Sequence, residues 1–197
     1  MATERVSELC RVTAETEIQL RLNLDGSGAH RIETGVPFLD HMLAHVAVHA
    51  PLDLDVTCRG DTVIDAHHSV EDVGIVLGQA LRQALGDKAG IARYGDRIIP
   101  MDEALVLVAL DFSGRPLLVY DVTVPASTVG TFDTELVPEF LRALATHAGL
   151  TLHVRLLASG NSHHIIEAIF KALGRALGEA VRLDPHRGGV PSTKGIL

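Results

Sequence analysis

Alternation of apolar and polar residues marks a strand near the start of the chain and another near its middle. EIQLRLNL (17–24) alternates as a half-buried strand does, and the DGSG that follows indicates a turn. AHRIET (29–34) is then predicted to return as the second strand of a hairpin. ALVLVALDF (104–112) and RPLLVYDV (115–122) predict the same hairpin later in the chain.

An extended stretch precedes each predicted hairpin, and an amphipathic helix follows it. The extended stretches are RVSELCRVTAET (5–16) and YGDRIIPMD (94–102). VPFLDHMLAHVAVHA (36–50) and VPEFLRALATHAG (137–149) both have helical spacing of apolar residues. In the first of these helices the apolar face is formed by Phe38, Leu39, Met42, Leu43 and Val46.

A further strand and a longer helix complete each series of elements. LDLDVTC (52–58) and LTLHVRLL (150–157) are the strands. HHSVEDVGIVLGQALRQALG (67–86) and HHIIEAIFKALGRALGEAVRL (163–183) are the helices, and both begin with a pair of histidines.

Three short blocks recur in the same order, which indicates a tandem duplication. HAPLDLDV matches HAGLTLHV at residue numbers that differ by 98, and HHSVE matches HHIIE at a difference of 96. LDGSG (24–28) also matches LDFSG (110–114). We therefore expect one α+β domain made of two βββαβα halves, 1–90 and 91–185. It should contain two four-stranded sheets with helices packed on one face of each, followed by a loop-like tail, 186–197.

Composition narrows the possible partners. Hydrophobic residues make up 47% of the 197 residues, as in a globular protein. The net charge of −8 and the absence of tryptophan argue against a nucleic-acid partner. No apolar run is long enough for a membrane span, and the N-terminal residues lack a signal-peptide pattern. With two cysteines that have no CxxC spacing, these features predict a cytoplasmic protein without a membrane partner.

The duplicated His-His-x-x-Glu motif carries the candidate chemistry. His67 and Glu71 lie four residues apart on one helical face, whereas His68 is rotated by about 100°. His163, His164 and Glu167 repeat the arrangement. If the halves pack about a pseudo-twofold axis, each of two sites takes a His/Glu pair from one half and a single histidine from the other. Such ligands favour Mn, Fe, Co, Ni or Zn. Hydrogen bonding between carboxylates and histidines without a metal is the alternative.

Six motifs, in order, resemble the imidazoleglycerol-phosphate dehydratase family over residues 5–197. They are TGVPFLDHMLAHVAVH, DAHHSVEDVGIVLG, RYGDRIIPMDEAL, LDFSGRP, NSHHIIEAIFKALGRAL and PSTKG. The resemblance implies a hydro-lyase of histidine biosynthesis that converts D-erythro-imidazoleglycerol phosphate to imidazoleacetol phosphate and water. It also implies two Mn²⁺ ions per subunit, a homo-oligomer of trimers assembled into a 24-subunit shell, and active sites between subunits.

The same resemblance implies a role for individual residues. One metal ion would be held by His41, His68, His163 and Glu167, and the other by His67, Glu71, His164 and a residue of the second-half helix. Catalytic roles would fall to Glu15, His49, Glu71 and Glu167. Substrate contacts would come from Glu15, His41, His45, His49, His67, Glu71, Arg93, Arg115, His163, Lys171, Ser192 and Lys194. The tail 186–197 would therefore bind substrate. The metals would stabilise an imidazolate and then a diazafulvene-like intermediate.

One position departs from the family pattern. Glu139 stands where the family normally has a histidine, and the internal repeat makes it the counterpart of His41, 98 residues earlier. Either Glu139 is a substitute metal ligand, which we favour, or the second site is a ligand short. His147, two turns further along the same helix, is the alternative ligand.

Two other functions compete with the dehydratase. A dimetal phosphoesterase would need a carboxylate that bridges two close metal ions, whereas the repeat is expected to separate the sites. A non-enzymatic metal-binding shell protein would leave Arg93, Arg115 and the PSTK segment without a role.

Overall fold

The first half of the chain folds into four strands and two helices. The computed structural model describes residues 4–186 and 188–197. Alternate residues of the second strand are buried, as its sequence pattern predicts. The elements are β1 (Val6–Val12), β2 (Thr16–Asn23), β3 (His30–Glu33), α1 (Pro37–His49), β4 (Asp53–Gly60) and α2 (His67–Leu85).

The second half repeats this order and adds one small hairpin that the sequence pattern did not predict. The elements are β5 (Tyr94–Met101), β6 (Ala104–Asp111), β7 (Leu117–Asp121), β8 (Thr128–Val129), β9 (Phe132–Asp133), α3 (Leu136–Ala148), β10 (Thr151–Ala158) and α4 (Ser162–Val181). The two-stranded β8–β9 hairpin lies between β7 and α3.

Each half forms one four-stranded sheet, with strand orders β1-β2-β4-β3 and β5-β6-β10-β7. The predicted hairpins are therefore wrong, because β4 lies between β2 and β3, and β10 lies between β6 and β7. β3 pairs with β4 in parallel, and β7 pairs with β10 in parallel. A parallel pair needs a crossover connection, which α1 and α3 supply.

The helices of the two halves pack against one another as well as on their own sheets. α2 lies on β1 and β2, and α4 lies on β5 and β6. Across the halves, α2 contacts α3 and α1 contacts α4, so that one apolar core is continuous through both. The predicted α+β duplication is confirmed, while the limits 1–90 and 91–185 stay predictions. Among the described residues, no helix is both long and apolar enough to cross a membrane.

Strand register corrects one of the three sequence matches. Asn23 pairs with Asp53, and Asp111 pairs with Thr151. Because Asp53 and Thr151 are repeat counterparts 98 residues apart, Asn23 corresponds to Asp111, at a difference of 88. The LDGSG/LDFSG match has a difference of 86 and is out of register by two residues. A shift of two residues keeps every side chain on the same face of the sheet. The predicted strands and their buried faces are therefore correct although this match is not.

Two glycines allow the helices to approach closely at equivalent places. An added Cβ at Gly174 of α4 would lie 2.9 Å from the Val46 carbonyl oxygen and 3.1 Å from the His49 Cβ of α1. At Gly78 of α2 it would lie 2.8 Å from the Leu144 carbonyl oxygen and 2.9 Å from the His147 Cβ of α3. These contact residues are repeat counterparts, so the α2–α3 packing repeats the α1–α4 packing.

We expect Gly174→Ala to destabilise the protein, although alanine favours a helix over glycine by about 1 kcal/mol. The added methyl group meets the backbone of α1, and such overpacking costs typically about 1–3 kcal/mol. Urea unfolding measures the difference. Gly188→Ala is the control, because an added Cβ there meets no atom within 4 Å. Equal midpoints for the two variants would show that α1 and α4 can separate without cost.

Candidate metal and substrate site

A histidine cluster lies where α1 crosses α4. Glu167 is at its centre, with its Oε2 3.1 Å from His163 Nε2 and 3.4 Å from His41 Nε2. Glu167 Oε1 lies 3.6 Å from His45 Nε2 and 2.5 Å from Lys171 Nζ. The α1–α4 packing thus places imidazoles of the first half around a carboxylate of the second, but they are His41 and His45 rather than His68, which the mixed-site hypothesis expects there.

Electrostatics keep the central carboxylate ionised and a neighbouring imidazole neutral. Burial raises the pKa of Glu167, but hydrogen bonds from Lys171 and His163 outweigh this and bring it to about 2. Burial lowers the pKa of His45 to about 4, despite the opposing field of Glu167. A neutral imidazole and an ionised carboxylate are the protonation states that bind metal ions.

Local capping places both histidine pairs in the first turn of a helix. The Asn161 side chain accepts a hydrogen bond from the His163 backbone N–H at 2.8 Å. The Asp65 side chain accepts one from the His67 backbone N–H at 2.7 Å. Such acceptors satisfy N–H groups that have no partner within the helix, so the residues that flank the motif fix its position.

The second histidine of each pair contacts carboxylates. His68 Nδ1 lies 3.0 Å from Asp61 Oδ2, and its Nε2 lies 3.7 Å from Glu15 Oε1. The hydrogen bond with Asp61 raises the pKa of His68. His164 Nδ1 lies 3.0 Å from Glu103 Oε2. Backbone hydrogen bonds from Asn161 and from Glu103 itself, and then the His164 ring, lower the pKa of Glu103 to about 2.

The α2–α3 pair carries the remaining predicted ligands. His67 Nε2 lies 3.8 Å from Glu71 Oε2. Glu139 occupies the α3 position that corresponds to His41 of α1, and its Oε2 pairs with Arg142 Nη1 at 2.5 Å. Burial lowers the pKa of His147, with a further contribution from the charge of Arg11. Glu71 opposes that shift, which places its charge near His147.

The described part of the chain contains two groups of three potential metal ligands. Within each group, the donor atoms lie within 4.8 Å of one another. One group is His41, His45 and Glu167, and the other is Asp102, Glu103 and His164. The structure therefore brings His41, His163 and Glu167 together within one chain but places His68 elsewhere, beside Asp61 and Glu15. Imidazole and carboxylate donors fit a transition metal ion such as Mn²⁺.

Four of the five Arg, Lys and Ser residues predicted to contact substrate line a cationic cleft with a volume of about 1090 Å³. Arg93, Arg115, Ser192 and Lys194 all border it. Arg93 is held in place by Asp111, whose oxygens accept hydrogen bonds at 2.7 and 3.1 Å, and it also donates to the Pro191 carbonyl oxygen at 2.7 Å. Lys171 is the exception, since it lies beside Glu167.

Sequence reasoning missed two further cations of this cleft, Arg82 and Lys88. Lys88 is buried, and burial lowers its pKa, with Arg82 and Arg93 adding to the shift. No sequence motif marks either residue. Their position depends on how the end of α2 meets the 113–116 turn and the tail, which is a long-range feature. Among the described residues, the cleft thus presents five cationic side chains, Arg82, Lys88, Arg93, Arg115 and Lys194.

Comparisons with known proteins agree on one family. The family model described as imidazoleglycerol-phosphate dehydratase matches residues 34–177. Proteins named imidazoleglycerol-phosphate dehydratase from Moorella thermoacetica and Acetivibrio thermocellus are each 59% identical to the chain. The first alignment covers 95% of both chains, and the second covers 98% of this chain and 100% of the relative.

Solved structures lead to the same assignment. The crystal structure of imidazoleglycerol-phosphate dehydratase from Staphylococcus aureus has a TM-score of 0.83 and 44% identity, covering 91% of this chain and 99% of that one. The Pyrococcus furiosus enzyme in complex with (S)-C348 has a TM-score of 0.83 and 39% identity, covering 96% of this chain and 100% of that one. The chain therefore belongs to the imidazoleglycerol-phosphate dehydratase family.

Proposed function

We propose that the protein dehydrates D-erythro-imidazoleglycerol phosphate to imidazoleacetol phosphate and water in histidine biosynthesis. The observation that carries the proposal is the cluster around Glu167, where His41, His45 and His163 converge on one ionised carboxylate at 3.1–3.6 Å. The family of the chain supplies the reaction, and the cationic cleft supplies complementarity to a phosphate. The free cysteines, Cys10 and Cys58, favour a reducing, cytoplasmic location.

Two Mn²⁺ ions per chain fit the available donors. His41, His163 and Glu167 would hold one ion with His68, and His67, Glu71 and His164 would hold the other with Glu139. Bound there, Mn²⁺ supplies Lewis acidity to the imidazole nitrogens of the substrate. Because His68 lies beside Asp61 and Glu15 within its own chain, the first set requires His68 from a neighbouring subunit. This requirement supports a homo-oligomer with sites between subunits, as in the proposed shell of 24 chains built from trimers.

Proton transfer is assigned to Glu15. Its half-exposed carboxylate lies 3.7 Å from His68 Nε2, which puts it at the edge of a metal site and open to a substrate. The reaction removes a hydroxide from the carbon attached to the imidazole and a proton from the next carbon. The resulting enol then gains a proton at carbon to give the ketone. Glu15 can accept the first proton and return the last one. His49, Glu71 and Glu167 are proposed to orient the reacting groups.

The cationic cleft is proposed to hold the phosphate. Arginine binds phosphate through paired, charge-assisted hydrogen bonds. Arg115 is the residue in the cleft whose role is easiest to test, because its guanidinium makes one long hydrogen bond of 3.4 Å, to the Ser113 carbonyl oxygen. Arg93 has a second task, since it also joins Asp111 to the tail. Ser192 and Lys194 bring the tail to the same ligand.

The direct test of the proposed function is turnover. Purified protein with added Mn²⁺ should convert imidazoleglycerol phosphate to a ketone that is detected as imidazoleacetol phosphate. Chelated protein should lose this activity and regain it with Mn²⁺, because the histidine cluster needs the metal ion for its chemistry. Release of inorganic phosphate instead of a ketone would favour the phosphoesterase. Manganese binding without either product would favour the metal-binding shell protein.

Arg115→Ala should weaken substrate binding by about 1.5–3 kcal/mol, because it removes a charge-assisted contact with the phosphate. Manganese content should stay unchanged, since Arg115 lies in the cleft and not in the histidine cluster. Steady-state kinetics and metal analysis measure the two effects. Arg155→Ala is the control, because this exposed arginine pairs with Asp121 on the sheet. Loss of metal from the Arg115 variant would contradict the assignment.

Glu139→Ala should lose about one manganese ion per chain and most activity, because a ligand is removed. Glu139→His should keep both, since it restores the residue that the family normally has. Arg142→Ala is the matched control: it removes the ion-pair partner of Glu139 but leaves the carboxylate. Full metal content in Glu139→Ala would mean that His147 or another residue completes the second site.

A further inference from the structure

The two histidines that contribute single ligands have the same hydrogen-bond pattern. His68 and His164 are repeat counterparts, the second histidines of their motifs. The Nδ1 atom of each lies 3.0 Å from a carboxylate oxygen, that of Asp61 or that of Glu103. The Nε2 atoms have no carboxylate this close. His68 Nε2 lies 3.7 Å from Glu15 Oε1, and His164 Nε2 lies 3.8 Å from Asp102 Oδ2.

The carboxylates determine which ring nitrogen carries the proton. An ionised carboxylate only accepts hydrogen bonds, so the Nδ1 atom that it contacts must be the donor. A neutral imidazole with a proton on Nδ1 has its lone pair on Nε2. Both rings are therefore held in the tautomer whose Nε2 can bind a metal ion, and in one orientation.

The anchors are not themselves copies of each other. Asp61 follows β4, whereas Glu103 lies in the turn between β5 and β6. By strand register, the repeat counterpart of Glu103 is Glu15, 88 residues earlier. Because different positions of the two halves make the same contact, that contact is not a simple by-product of the duplication. It meets a requirement that both rings share.

Glu103 is held more firmly than its counterpart. Its Oε1 accepts a hydrogen bond from the Asn161 backbone N–H at 2.5 Å, while Oε2 faces His164. Glu103 therefore joins the β5–β6 turn to the residue before α4 as well as to the ring. In the first half Asp61 holds the ring through both oxygens, at 3.1 and 3.0 Å. Glu15, the counterpart of Glu103, is therefore not the residue that contacts Nδ1 of His68.

We propose that Asp61 and Glu103 are positioning residues that fix the Nδ1–H tautomer of His68 and His164 and so prepare Nε2 of each ring for metal binding. The proposal rests on the proposed metal-dependent function for its consequence but not for its geometry. Carboxylates that orient histidine ligands typically change metal affinity by about 10- to 100-fold when they are removed. Neither residue belongs to the proposed metal-ligand sets or to the proposed substrate contacts.

The first readout is the tautomer in metal-free protein. Magic-angle-spinning ¹⁵N NMR of histidine-labelled, chelated protein should show two rings with a protonated Nδ1 that change on anchor removal. Asp61→Ala and Glu103→Ala should each shift one ring toward the Nε2–H form. Asp61→Asn should restore the Nδ1–H form, because its amide oxygen can still accept. Unchanged ring signals in both alanine variants would overturn the proposal, whether or not the protein binds metal.

The second readout is manganese affinity, measured by calorimetric titration of chelated protein with Mn²⁺ alone. Each alanine variant should weaken one class of site by about 10- to 100-fold and leave the other unchanged. The matched control is Asp102→Asn, because Asp102 faces Nε2 of His164 at 3.8 Å rather than Nδ1. Asparagine is also compatible with the left-handed backbone conformation of residue 102, where φ is 48°.

The outcomes separate the positioning role from the proposed function. If Asp102→Asn weakens binding as strongly as Glu103→Ala, the carboxylates act through their charge or as ligands, and the positioning role is wrong. If the wild-type protein binds no Mn²⁺ but the ring signals respond as expected, the proposed metal-dependent function fails while the tautomer assignment stands. Thermal unfolding of each variant shows whether Glu103→Ala also loosens the start of α4. Should it do so, Asp61→Ala and Asp61→Asn still decide the proposal for His68.

Discussion

The close approach of α1 to α4 determines the geometry of the histidine cluster. Gly174 lets the α4 backbone come near Val46 and His49 of α1, and no larger residue fits there without a shift. That approach places the α1 histidines directly over the face of α4 that carries Glu167 and Lys171. Side chains at four-residue spacing on both helices then meet in register. The proposed ligand set, which is drawn from two halves of the chain, depends on this packing.

Within the cluster, charge balance matters as much as distance. Glu167 is buried, which alone would favour its neutral form, yet Lys171 and His163 keep it ionised. The lysine that a family pattern assigns to substrate therefore has an electrostatic task in the same place. A lysine ammonium group that is hydrogen-bonded to a buried carboxylate also competes with a metal ion for the carboxylate oxygens. The structure shows Lys171 as the partner of Glu167, and its contact with substrate stays a prediction.

The sequence predicted elements better than it predicted their pairing. Helical spacing located the four long helices, and the extended patterns located the strands of the two four-stranded sheets, because each pattern depends on local periodicity. The pairing of β2 with β3 was wrong because a glycine-containing turn between two strands does not reveal that a later strand will lie between them. The histidine motif and the resemblance pointed to the cluster. The anchors Asp61 and Glu103 and the cleft residue Lys88 were not predicted, since their contacts join positions that no local pattern relates.

The register of the sheets gives the duplication a functional meaning. Glu15 and Glu103 occupy equivalent places beside equivalent histidines, but only Glu103 is fixed by a backbone N–H and by an imidazole Nδ1. In the first half Asp61 makes the corresponding ring contact, and the glutamate remains half-exposed next to Nε2. A carboxylate that must move a proton needs access to substrate and freedom from strong donors, which would lower its basicity. Of these two equivalent residues, Glu103 thus has a structural role in the second half, whereas Glu15 of the first half remains accessible to a substrate. An exact repeat could not provide both, so the divergence at residue 61 leaves one of two equivalent glutamates available for the proposed proton transfer.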